Sequence, residues 1–131
     1  MSTLTEDVRE LVGKKVFAHL ATLMPDGSPQ SSPVWVDLDG DQIRFNTAEG
    51  RAKTRNVRND PRVALSFSDP DNPYMTVMVR GEVTEITSTG ADDHIDDLAK
   101  KYLDEDTYPF RQPDEERLLV RVRPDAVSTY P

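Results

Sequence analysis

Residues 51–62 read RAKTRNVRNDPR and gather Arg51, Lys53, Arg55, Arg58 and Arg62 against a single Asp60. Five positive charges and one negative give +4, whereas the 131-residue chain carries −8, so the other 119 residues must sum to −12. Concentrated positive charge of this kind can do one piece of chemistry well, which is to hold an anion. At a helix start, unpaired backbone N–H groups and the positive end of the dipole already favour negative charge. Arg51 could then give a phosphate two bonds from its planar fork and Lys53 a point charge, with the Thr47 and Thr54 hydroxyls as further donors. Two other uses of the same residues stay open at this stage. One is a solvated basic face that pairs with acidic neighbours. The other is a nucleic-acid patch, which the missing interleaved aromatics and the acidic balance of the chain both oppose.

Other chemistry is harder to find. The two histidines, His19 in a strand-like run and His94 in an acidic stretch, have no carboxylates at ligand spacing, and no metal site is expected. His94 reads as a solvated helix residue, and His19 as a strand residue meeting solvent or a ligand edge. Cysteine is absent, which excludes disulfides and thiolate nucleophiles. No G-x-S-x-G turn, Walker loop or G-x-G-x-x-G after a strand occurs. Asp92-Asp93 and Asp96-Asp97 fit macrodipole stabilisation better than acid–base work. An anchor without a catalytic constellation is the pattern expected when a bound cofactor carries the reactive atoms.

The elements that must position the anchor are mostly strands. Thr3 and Glu6 have capping-box spacing ahead of Val8, Leu11 and Val12, which predicts a short helix ending at Gly13. VFAHLATLM and PVWVDL flank an Asp26-Gly27 turn, and Asp39-Gly40 turns the chain again into QIRFNTA. A two-turn helix from near Gly50 or Arg51 fits before Asp60-Pro61, since proline disfavours helix in its predecessor. RVALSFS and YMTVMVRGEVTEIT read as strands on either side of the loop DPDNP, the second bending at Gly81. Ile95, Leu98, Ala99, Tyr102 and Leu103 lie at helical spacing; RLLVRVRP then supplies a last strand and DAVSTYP a tail. The predicted order is helix, three strands, short helix, two strands, helix, strand. Hairpins in so short a chain favour a small closed or nearly closed β-barrel, because closure removes exposed edges.

A chain of this length fits one domain, 1–131, and buries roughly two-thirds of its unfolded surface. Its hydrophobic fraction of 36% and mean hydropathy of −0.64 are low, and dimerisation is one remedy. No positively charged leader with an apolar core and no run of about 18 apolar residues is present, so a soluble cytoplasmic protein without a membrane partner is expected. The acidic balance, with pI near 4.7, argues against nucleic acid as a bulk partner.

LATLMPDGSPQSSPVWV (20–36), IRFNTAEGRAKTRNVRNDPRVALSF (43–67) and VRGEVTEI (79–86) resemble successive signatures of the flavin and deazaflavin oxidoreductase superfamily, whose namesake is pyridoxamine 5'-phosphate oxidase. GRAKTRNVRNDPRV is similar to the actinobacterial branch that uses coenzyme F420 in place of FMN. The match spans roughly residues 14 to 123 and is dense from 20 to 67. This resemblance implies a mainly β, FMN-binding-protein-like split barrel that forms a homodimer, with cofactor sites in the grooves between subunits. It implies that Arg51 and Lys53 hold the cofactor phosphate, with Thr54 and Asn56 as lesser contacts. Gln30, Ser32, Pro33 and Val34, together with Asn46, Thr47 and Ala48, would line the ring and ribityl chain, largely through backbone groups. Trp35 would pack in the barrel or dimer interface. Tyr74 is the candidate proton source on the substrate side. The implied reaction passes a hydride from reduced F420 to an electron-poor small molecule; an FMN oxidase or flavin reductase, and a non-catalytic F420 carrier, are the alternatives. The namesake's arginine-rich FMN strand and R-x-H element are missing, which argues against oxidation of vitamin B6.

Overall fold

A computed structural model describes residues 4–131. The chain runs α1 (Glu6–Val12), β1 (Ala18–Leu23), β2 (Pro29–Val34), β3 (Val36–Asp39), β4 (Gln42–Ala48), α2 (Ala52–Asn59), β5 (Arg62–Asp69), β6 (Asn72–Thr87), α3 (Ala91–Leu103) and β7 (Arg117–Tyr130). All neighbouring strands pair antiparallel, in the order β2-β1-β5-β6-β7-β4-β3. The two edge strands, β2 and β3, are joined through one residue, Trp35. A sheet whose opposite edges are consecutive in sequence has to curl until those edges meet, and the result is a split β-barrel. The expected barrel is therefore present, with its seam at Trp35.

Alternation places one residue in two inside the barrel. The register row Val36–Phe45–Val120 points inward, as does Leu20–Leu65–Val79. Phe45, Leu20, Leu65, Val79 and Val120 are all sealed from solvent. Each such side chain stabilises the fold by roughly 1.5–3 kcal/mol relative to exposure. Val8, Leu11 and Val12 of α1 and Val57 of α2 join the same core. Ile95, Leu98 and Tyr102 of α3 form a second cluster against Trp35 and Tyr108. Tyr102 Oη donates to Val16 O at 2.5 Å and accepts from Val36 N at 3.1 Å, and Lys101 Nζ donates to Val12 O and Val36 O at 2.6 and 2.7 Å. Burial pushes the Tyr102 hydroxyl up to about 12 and the Lys101 ammonium down to about 8. These contacts tie α1, α3 and the start of β3 together beside the seam.

Three sequence expectations need correction. The predicted strand PVWVDL is two strands that belong to opposite edges of the sheet, so four strands precede α2. β7 does not end at Pro124 but continues to Tyr130 along β6, with register shifts beside Gly81. Proline normally ends a strand because it lacks an N–H, and a bulge is where a ladder tolerates that loss. Gly81 is the other half of this device, since a Cβ there would lie 2.1 Å from Arg123 O. Finally, the cap of α1 is Thr5, whose Oγ1 accepts from Val8 N; Thr3 lies outside the described residues.

Candidate functional site

α2 begins with an unusual cap. Arg51 holds the N-cap position in extended conformation and makes no capping hydrogen bond from its side chain. Arginine has no acceptor to offer the first turn, so its guanidinium is free to point elsewhere. Arg51 and Lys53 both face a groove of about 190 Å³, together with Pro33 and Val34 of β2, Asn46 of β4 and Arg117 of β7. The remaining wall is apolar and aromatic: Phe17, Trp35, Ile95 and Leu98, with Tyr108 and Phe110 from the loop before β7. Trp35 stacks on Tyr102 at 5.1 Å between centroids and meets Tyr108 edge-on at 6.1 Å. It belongs to this wall and to the α3 cluster, not to the barrel core.

Electrostatics at this groove are unbalanced. Arg117 is 5% exposed. Its Nε donates to Asn46 Oδ1 at 2.8 Å, its guanidinium lies 5.2 Å over the Tyr108 ring, and its Nη1 sits 3.0 Å from Glu115 Oε1. That last contact is an ion pair by distance but too poorly aligned to be a hydrogen bond, so both atoms are buried without one. Glu115 also stands 3.6 Å from Arg51. Lys53 is half-buried and has no ion pair among the described residues. Desolvation, reinforced by repulsion from Arg51 and Arg117, pulls its ammonium below the ordinary lysine range. Three cations against one carboxylate leave two uncompensated positive charges around a partly dry groove. Bringing like charges together there costs free energy that an incoming anion would relieve.

The other cations of the basic turn are engaged locally at the surface. Arg55 donates to Gly50 O at 2.7 Å, Arg58 pairs with Glu49, and Arg62 pairs with Asp60 at 2.6 Å, which holds the Asp60 carboxyl down at about 2. The segment thus divides into a groove-facing pair and a solvated, self-paired remainder.

Of the residues predicted for the site, Pro33, Val34, Asn46, Arg51 and Lys53 meet at the groove. The others do not line it. Thr54 Oγ1 donates to Ala48 O at 2.9 Å and lies 3.1 Å from Thr47 Oγ1, so these hydroxyls brace β4 against α2 and are not free donors. Asn56 is 3% exposed and donates to Thr22 Oγ1 and Gln30 Oε1 at 3.0 and 3.2 Å, pinning α2 to the β1–β2 hairpin. Ser32 and Ala48 sit in their strands with no side chain at the groove. Tyr74 stands 81% exposed near the β5–β6 turn, away from this groove. His19 is exposed on β1 as expected. His94 is not solvated: it is 2% exposed and bonded to Asn46 and Asp37. Arg117, Glu115 and, apart from Trp35, the aromatic wall were not singled out in the sequence. Among the described residues, no three His, Asp or Glu gather closely enough to hold a metal ion, and no helix is long and apolar enough to cross a membrane.

A split barrel with a cationic, aromatic-walled groove beside its seam defines a protein class, and sequence comparison agrees with it. Residues 4–130 match the family described as pyridoxamine 5'-phosphate oxidase, and the chain belongs to that family. It is also similar to a solved F420 reductase, at 35% identity and a TM-score of 0.83, covering 95% of this chain and 98% of the other. Two further structures share the fold: a conserved hypothetical protein from Mycobacterium tuberculosis and general stress protein 26 from Bacillus anthracis. The first is 22% identical with a TM-score of 0.75, covering 97% of this chain and 84% of the other. The second is 18% identical with a TM-score of 0.71, covering 95% and 92%.

Proposed function

We propose that this protein is an F420-dependent reductase whose groove grips the phosphate of the coenzyme through Arg51, Lys53 and Arg117. The observation that carries the reading is the uncompensated charge of these three side chains beside an aromatic wall. The residues fit such a ligand. Arg51, Lys53 and Arg117 all line the groove, and Lys53 has no ion pair among the described residues to compete for it. Similarity to a protein named F420 reductase over nearly the full length supports the choice of deazaflavin over FMN.

When bound, reduced F420 supplies a hydride for an electron-poor carbon such as a conjugated alkene or imine. The protein's own residues do the rest by physical means. Arg51 and Lys53 fix the anionic end, and Arg117 adds a third charge held in place by Asn46 and Tyr108. Pro33, Val34, Trp35, Ile95 and Leu98 offer apolar surface that excludes water from the reacting face, so orientation and desolvation are what the chain contributes. Polyanionic coenzyme explains why an acidic protein keeps one concentrated basic grip.

Self-association into a homodimer belongs to the same proposal. Phe17 and Met78 are more than half exposed, and the outward row Ala21–Ala64–Arg80–Ala126 gives the sheet a shallow, small-residue face. Tyr74 would then reach a groove only across the dimer. A cytoplasmic location and a small-molecule substrate complete the reading. Side-by-side titration with F420 and FMN tests it: tight F420 binding, weak FMN binding and oxidation of reduced F420 by an enone, imine or quinone are expected. Preference for FMN would point to an oxidase or flavin reductase of the same fold, and binding without turnover to a carrier.

A further inference from the structure

One buried titratable residue has no place in the mechanism above. His94 lies on α3 behind the groove, outside its lining, and is 2% exposed. Its Nδ1 is 3.1 Å from Asn46 Nδ2 and its Nε2 is 3.2 Å from Asp37 Oδ1. Asn46 Nδ2 also donates to Ala91 O at 2.9 Å, and Asn46 Oδ1 accepts from Arg117 Nε at 2.8 Å. Arg44 grips the far carboxylate, with Nε and Nη2 each 2.8 Å from Asp37. The chain therefore runs from the groove to the far side of α3 as Arg117, Asn46, His94, Asp37, Arg44.

Each orientation in it is forced. The Ala91 carbonyl can only accept, so the amide NH₂ of Asn46 must face it. The Asn46 oxygen then faces Arg117 Nε, which can only donate. The second amide hydrogen points at His94 Nδ1, which must be a bare acceptor, and the His94 proton therefore sits on Nε2 and is donated to Asp37. Burial alone would raise the Asp37 carboxyl, but hydrogen bonds from His94 and Arg44 outweigh it and hold the group below the ordinary range, so it stays an acceptor. With both hydrogens of the Asn46 amide engaged, its oxygen has one direction left, toward Arg117.

We infer that His94 is a positioning residue for the anion groove, acting through the Asn46 amide to aim the Arg117 guanidinium. The inference rests on the proposed reading only in naming the ligand. If His94 could not accept, one hydrogen of the Asn46 amide would be left buried without a partner, while Ala91 O and Arg117 Nε would still fix which way the amide faces. The amide would then tilt to regain an acceptor, and its oxygen would carry the Arg117 guanidinium off its aim.

Two substitutions in the full-length protein separate positioning from mere packing. His94→Asn keeps a side-chain carbonyl near the place of Nδ1 and loses the contact to Asp37. His94→Gln reaches toward Asp37 and offers Asn46 no acceptor at the old position. F420 affinity is read by fluorescence titration, and Arg117 by its Nε–H resonance in nitrogen-15 NMR, assigned by its disappearance in Arg117→Lys. His94→Asn is expected to bind as the wild type does and to keep the resonance. His94→Gln should bind about tenfold more weakly, the scale of a misplaced charge-assisted hydrogen bond, and shift the resonance toward exposed arginines. Equal behaviour of the two variants in both readouts, whether unchanged or equally weakened, overturns the inference. A resonance that moves in His94→Gln alone, in a protein that binds no F420, leaves the positioning role standing and removes the functional reading instead.

Discussion

Replacing Lys53 by Met should make the unliganded protein more stable while weakening its grip on an anion. The methionine stem keeps the apolar contacts of the lysine methylenes and removes only the charge. That charge is half-buried, without an ion pair among the described residues, and repelled by Arg51 and Arg117, and its depressed pKa means that the folded state disfavours the protonated form. Relief of such a frustrated charge is worth on the order of 1 kcal/mol, or about 3 °C in Tm for a domain of this size. The sign also fixes the pH dependence. A lysine with its folded pKa below its unfolded pKa penalises folding fully at pH below the folded value, and the penalty fades as pH rises past the ordinary lysine range. The Met variant should therefore gain most near neutral pH and converge with the wild type in strong alkali. In the liganded state a charge-assisted hydrogen bond is lost, about 2 kcal/mol or about thirtyfold in F420 affinity. Thermal melts across pH, with and without F420, read both effects. A variant that melts lower than the wild type and binds equally well would refute the reasoning on both counts.

Arg117→Met leaves the Glu115 carboxylate with only its 3.6 Å contact to Arg51 and strips the buried Asn46 oxygen of its donor, and should cost about 3 kcal/mol in urea unfolding, the share due to Glu115 being recovered when Glu115→Leu is added. Asp37→Asn should lose stability near neutral pH; because the wild-type carboxyl is depressed, the gap should stay full above about pH 4 and close as pH falls below it. Gly81→Ala forces a methyl against Arg123 O and should destabilise by about 3 kcal/mol by the same assay.

The two groove-facing cations were legible because charge counting is local: Arg51 and Lys53 belong to a basic run that stands out in an acidic chain without knowledge of the fold. Their third partner was hidden by topology. Arg117 reads as one polar residue at the start of a strand, and only the β4–β7 register, which sets Ala48 opposite Arg117, brings it to α2. Thr47, Thr54 and Asn56 carry the right donors at the right places in the sequence, but strand alternation and the helix face turn them inward, where they bond one another and the hairpin. His94 misled through its acidic neighbours. The signal that could have corrected it was helical spacing, since Ala91, His94, Ile95, Leu98 and Tyr102 share the buried face of α3. Turns were legible at Asp26-Gly27 and Asp39-Gly40, where Gly27 and Gly40 take positive φ. The break at Trp35 was not, because PVWVDL is uniformly strand-like and the change of edge is dictated by closure of the barrel, not by local propensity.

A crystal structure of the protein soaked with F420 measures directly where the phosphate of the coenzyme lies. Phosphate density within hydrogen-bond distance of Arg51, Lys53 and Arg117, with the ring against the Pro33–Trp35 side of the groove, is the expected result. A vacant groove, or a phosphate held elsewhere on the barrel, would contradict it.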